Sequence, residues 1–125
     1  MNAPDVAESP QEHIPLKPDV LHILIALSGS DLHGYGIIKE VLERTGGAFE
    51  LQPGALYRRL RTLREAGMIG ETQRRPAADQ DDERRRYYRI TSLGRRVAAA
   101  EARRMEELVE QARVRGLIAE SGSGS

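Results

Sequence analysis

The sequence predicts a mainly α-helical domain that carries one small β-hairpin and ends in a single long helix. Three observations lead there. Apolar residues recur at helical spacing over 35–42, 56–63 and 98–112, after a nearly unbroken apolar run at 20–27. The stretch 68–90 instead holds two short strand-like runs separated by Pro-Ala-Ala-Asp-Gln-Asp-Asp-Glu, a loop of turn-forming residues. Third, the charges are segregated along the chain.

The formal net charge of zero over 125 residues hides that segregation. Residues 1–52 hold three bases against eight acids, 53–96 hold twelve bases against six, and 97–125 hold four against five. The middle block is therefore basic by six charges, and every base in it is arginine. Such a block points to a local anionic partner, and arginine's planar fork favours bidentate recognition over diffuse attraction. The absence of cysteine leaves no disulfide framework and no thiolate metal site. His13, His22 and His33 stand at no recognised ligand spacing, so neither a metal nor a cofactor is expected. No apolar run reaches membrane-span length, and the acidic, proline-containing start does not resemble a signal peptide. One domain in a soluble, cytoplasmic protein is the expectation.

Taken in order, residues 1–16 carry Pro4, Pro10 and Pro15 among acids without a period and read as a disordered arm. Pro18 and Asp19 mark the start of a first helix. Its run Val20–Leu27 is apolar on nearly every side, so it belongs at the domain centre or under a partner subunit. His22 is expected to pack there. Ser28-Gly29-Ser30-Asp31 breaks the helix, and a second begins near His33–Tyr35 with Tyr35, Ile38, Val41 and Leu42 on its inner face. Gly46-Gly47 ends it. Phe49 and Leu51 alternate with Glu50, enough for a very short strand. Pro53 then opens a helix that closes at Gly67. Leu56, Leu60 and Leu63 form its apolar stripe, with Tyr57, Arg58, Arg61, Arg64 and Glu65 opposite. A basic face on a rigid rod fits the major groove of DNA. Two short helices closely joined, the second basic, make a helix-turn-helix.

Met68–Arg75 and Arg85–Ile90 read as strands, the second with Ile90, Tyr88 and Arg86 inward. A hairpin placed directly after a helix-turn-helix is a wing. Thr91 is placed to cap a last helix reaching about Arg115. Along it Ala98, Ala102, Met105, Val109 and Ala112 recur at heptad-like steps, widened by Leu108. Such a face needs cover, either from the parent domain or, more economically, from a second copy, with Leu24 of the first helix joining the interface. The expected organisation is thus an arm at 1–16, a winged helix-turn-helix at 17–91, a C-terminal dimerisation helix at 92–117 and a flexible tail at 118–125.

The words that run through these elements resemble the PadR-type transcriptional regulators in their short form. They are His33-Gly34-Tyr35-Gly36-Ile37, then Pro53-Gly54-Ala55-Leu56-Tyr57-Arg58-Arg59-Leu60, then Leu63, Glu65, Gly67, Met68 and Ile69, and finally Arg86-Tyr87-Tyr88-Arg89-Ile90-Thr91 with Gly94. The resemblance spans roughly Val20 to Leu117. It implies a homodimeric repressor on an inverted-repeat operator of double-stranded DNA. Pro53, Gly54, Ala55, Tyr57, Arg58 and Arg61 would enter the major groove, Gly34 and Tyr35 would touch the DNA backbone, and Arg84, Arg85 and Arg86 would serve the wing. Two features depart from the family. Asp79, Asp81, Asp82 and Glu83 make the wing tip acidic, so it points away from DNA or pairs with neighbouring arginines. Drug-responsive members stack flat ligands on a tryptophan of the last helix, and this chain has none. A small aromatic or hydrophobic effector is left only an apolar gap between Leu24, Leu27, Met105 and Val109. A winged helix that docks protein rather than DNA is the alternative function. Enzyme chemistry lacks a nucleophile, a triad histidine, a phosphate loop and a metal constellation.

Overall fold

The computed structural model describes residues 9–72 and 86–119. Four helices and three strands follow one another there: α1 (Pro18–Gly29), β1 (Leu32–His33), α2 (Gly34–Arg44), α3 (Pro53–Glu65), β2 (Ile69–Thr72), β3 (Tyr87–Ile90) and α4 (Ser92–Val114). The sheet is antiparallel in the order β1-β3-β2. Its register sets Ile69 against Ile90 and Glu71 against Tyr88 on one side of β3, and Leu32 against Tyr88 on the other.

The boundaries follow from local chemistry. Proline in the first turn starts both α1 and α3, where its missing N–H costs nothing. His33 caps α2, its Nδ1 accepting from the Gly36 amide at 2.9 Å. Thr91 caps α4 through the Gly94 amide at 3.1 Å, while its hydroxyl donates to the Gly67 carbonyl at 2.7 Å. One threonine thereby joins the end of α3 to the start of α4. Gly67 adopts φ 80° after α3. The Gly67 amide then reaches the Arg64 carbonyl and the Met68 amide that of Leu63, which closes the helix and turns the chain into β2.

Ile23, Leu24 and Leu27 of α1 meet Ile37 and Val41 of α2, the three leucines of α3, and Tyr88 and Val97 in one core. Gly94 is fixed by that packing: a methyl group there would overlap the Met68 carbonyl and lie 2.9 Å from Ile90 Cγ1. Thr45 shapes the turn between α2 and α3, its hydroxyl donating to the Val41 carbonyl at 2.8 Å and accepting from the Phe49 amide at 3.0 Å.

Several expectations need correction. Residues 49–51 form no strand; Leu51 is simply buried, and the third strand is Leu32–His33. Tyr35 is not on the inner face of α2 but 68% exposed, because Gly34, Ile37 and Val41 set the phase of that helix. The described part of the arm is ordered: Pro10–His13 form a 3-10 turn, Ile14 and Leu16 pack on the core, and the Leu16 amide donates to Glu101 at 3.1 Å. Arg86 is exposed beside β3 rather than inward. The first helix is not covered all round by its own domain, since Ile25 is 38% exposed. His22 is half-buried as expected, its ring 4.3 Å from that of Phe49.

Candidate nucleic-acid interface

α3 divides by chemistry as its sequence divides by period. Leu56, Leu60 and Leu63 are buried, and Arg59 turns sideways to Asp19 of α1 at 2.8 Å, which locks the helix to the domain. Pro53, Gly54, Tyr57, Arg58 and Arg61 are exposed, and Ala55 is partly so. Among the described residues Arg58 and Arg61 have no ion-pair partner. Their guanidinium groups are held on a helix, with no hydrogen bond or ion pair to another described residue.

Tyr57 is half exposed, and its ring lies across Gly34 at the start of α2. A side chain at position 34 would meet the Tyr57 hydroxyl, so glycine is what lets that ring lie across the start of α2. Gly34 is buried and acts as a floor for Tyr57, while Tyr35 beside it points to solvent. A concavity of about 470 Å³ opens between α3 and the sheet, with Gly34, Tyr35, Tyr57, Arg61, Arg64 and Arg86 among the residues that line it. The structure thus brings residues from the two ends of the sequence motif into one basic hollow. Arg84 and Arg85, and the acidic tip with Asp79, Asp81, Asp82 and Glu83, lie outside the described residues.

Two participants were not among the expected site residues. Arg64 donates to Glu71 of β2 at 2.6 Å, and Arg86 reaches the same carboxylate at 3.2 Å. Arg64 could be found from its place on the basic face; Glu71 could not, because nothing in the sequence says which arginine a strand glutamate will meet. Burial, with the Glu71 carboxylate adding to it, raises the Tyr88 hydroxyl above its ordinary pKa.

The other expected surface lies on α4. Ala98 is partly buried, whereas Ala102, Met105, Leu108 and Val109 are exposed and Ala112 is partly so. Leu24 does not belong with them: it is fully buried within its own chain, as Leu27 is, because α1 packs beneath the first turns of α4. The apolar gap expected between Leu24, Leu27, Met105 and Val109 is therefore filled on the α1 side by the domain itself. The buried line of α4 runs instead through Leu93, Val97 and Glu101. Glu101 is wholly shielded, yet Arg104 holds it through two hydrogen bonds of 2.7 and 2.9 Å. That hydrogen-bonded guanidinium keeps the carboxyl below its ordinary pKa against the opposing effect of burial. Among the described residues no group of histidines and acids is placed to hold a metal, and no helix is long and apolar enough to cross a membrane.

Comparison with known proteins gives this geometry a context. The family model for the transcriptional regulator PadR-like family matches residues 20–100. An uncharacterised protein of Lysinibacillus sphaericus is 32% identical over 77 residues, a match covering 58% of this chain and 64% of that relative. The solved structure of a transcriptional regulator from Clostridium thermocellum superposes with a TM-score of 0.64 at 23% identity, over 83% of this chain and 100% of that one. A PadR family transcription regulator from Clostridium difficile gives 0.61 at 22% identity, over 79% and 97%. The likeness extends over about four fifths of the chain and is one of fold, a winged helix-turn-helix.

Proposed function

The chain belongs to the PadR-like family of transcriptional regulators, and on that premise we propose that it is a homodimeric repressor that occupies an inverted-repeat operator. The observation that carries this reading is the division of α3: its leucines are sealed in the core while Arg58 and Arg61 stand exposed, without an ion-pair partner among the described residues. Arginine presents two parallel donors to the acceptor edge of guanine, and Tyr57 beside it offers a hydroxyl and an aromatic face. Pro53, Gly54 and Ala55 form the leading end of the helix, whose small residues let the backbone approach the groove. Arg84, Arg85 and Arg86 would hold phosphates beside it.

The dimer is supported by the apolar residues of α4. Met105, Leu108 and Val109 are 39%, 50% and 43% exposed, and pairing with the same face of a second copy removes them from water. Two α3 helices related by a dyad then meet successive turns of the duplex about 34 Å apart, which calls for a near-palindromic site. Neutralising about 6–10 phosphates per dimer makes the affinity fall steeply with salt. Repression follows by occlusion when the operator overlaps a promoter.

The test is selection of duplexes by the purified protein from a random-sequence pool. The expected product is a two-fold symmetric site with half-sites one helical turn apart. Failure to retard any duplex even at low salt would overturn the reading in favour of a protein-docking winged helix.

A further inference from the structure

At the foot of the hairpin two guanidinium groups converge on one carboxylate oxygen. Arg64 Nη1, from the last turn of α3, donates to Glu71 Oε2 at 2.6 Å, and Arg86 Nη1, just before β3, donates to the same oxygen at 3.2 Å. Both arginines line the hollow that also holds Tyr57 and Arg61. α3 therefore carries two kinds of arginine. Arg58 and Arg61 are uncommitted among the described residues, whereas Arg64 is already paired.

A carboxylate oxygen gripped by two guanidinium groups stands in the relation that a phosphate oxygen takes to the same donors. Resting on the DNA-binding reading above, we propose that Glu71 is an autoinhibitory contact: it fills the place of a backbone phosphate in the free protein, and seating of α3 on DNA has to displace it. The three side chains are 42%, 61% and 33% exposed for Arg64, Arg86 and Glu71, so their pairing is solvent-screened and exchangeable. On random DNA the protein is held by phosphates at a distance, and there the carboxylate cancels one of the two positive charges. On a fitting site α3 seats fully, a phosphate comes within hydrogen-bonding distance, and direct arginine–phosphate bonds replace the internal pair. Seating has to break the internal pair and loose binding does not, so Glu71 subtracts more from seated binding than from loose binding.

The isosteric substitution Glu71→Gln keeps the shape and removes the charge. Binding would be measured on the selected operator and on a random duplex across a salt series. Operator affinity is expected to rise about three- to tenfold with a salt slope steeper by about one, while affinity for random DNA rises by less than about twofold. In a chain that also carries Arg64→Ala and Arg86→Ala, the same substitution should leave the operator-to-random ratio unchanged. An equal response on both DNAs, a fall in operator affinity, or an unchanged effect without the two arginines overturns the role of Glu71 and leaves DNA binding standing. No binding by the unsubstituted protein overturns DNA binding itself, and this role with it. An unaltered melting temperature for Glu71→Gln confirms that the comparison is between equally folded chains.

Discussion

α3 and α4 follow one recipe, apolar residues every three or four positions with arginine and glutamate between, and they end in opposite situations. In α3 the apolar line is the buried one, with Leu56, Leu60 and Leu63 at 0%, 2% and 3% exposure. In α4 the repeating line from Ala102 through Val109 is exposed, and the buried line, one residue out of step, contains a glutamate. An amphipathic pattern announces that a face will be covered; it does not announce what covers it. α3 is covered by its own domain. Beyond Glu101, no residue of α4 is buried.

The largest expected effect separates the two lines by stability. Leu60→Ala opens a cavity in the core and should cost about 2–5 kcal/mol in urea unfolding. Leu108→Ala, on the half-exposed line, should cost the isolated chain less than about 0.5 kcal/mol. Comparable losses at the two positions in a dilute monomer would erase the distinction. Leu108→Glu sharpens it further. That variant should keep its helical circular dichroism but sediment as a monomer, because a carboxylate at each copy's seam is repelled by its mate.

Next in size is Gly94→Ala. The added methyl meets the Met68 carbonyl, which cannot yield without shifting β2, so the substitution should destabilise by about 1–3 kcal/mol. It probes the part of α4 that is packed into the core as α3 is. A melting temperature equal to that of the unsubstituted chain would show that α4 can slide on the hairpin.

How much of this was legible in the sequence depended on the range of the interaction. Features settled within four or five residues could be read: the proline starts, the Thr91 cap, the glycine stop at Gly67 and the leucine stripe of α3. Features settled by distant pairing could not. β1 is two residues long and exists because Leu32 and His33 lie along β3, whereas Phe49–Leu51 has the better strand pattern and no ladder to join. Glu101 looks like any solvent-facing helix glutamate until Leu16, eighty-five residues earlier in the chain, is brought over it. Tyr35 was misplaced because the helix phase is set by Gly34, whose burial reflects the ring of Tyr57 from the next helix. The exposed arginines of α3 were legible for a simple reason: the leucines between them fix their direction.

Arg61→Ala tests that legible face directly. Loss of one bidentate contact should remove about 1–3 kcal/mol of discrimination at one position in each half-site. Arg85→Ala, at the expected wing, should instead weaken all sequences alike and flatten the salt slope. Identical behaviour of the two variants on operator and random DNA would deny α3 its reading role.

The smallest effect belongs to the buried line of α4, and its sign can be worked out. The Glu101 carboxyl titrates below its ordinary value of 4.5 when folded. Its stabilising contribution is thus fully present above that value and is lost as pH falls through the lower, folded value. Glu101→Gln keeps an acceptor for the Leu16 amide but gives up the charge-assisted bonds to Arg104. Those bonds exceed neutral ones by about 1 kcal/mol, which is the destabilisation expected at pH 7. The gap should close as the solution is acidified below pH 4.5, since the native chain loses the same charge by protonation. Arg104→Ala should be the more damaging change, because Arg104 is 37% exposed and leaves for water easily, whereas the carboxylate it abandons stays buried. If glutamine at 101 proved worse than alanine at 104, the charge on Glu101 rather than its compensation would be what holds the strap of residues 9–16 against the helix.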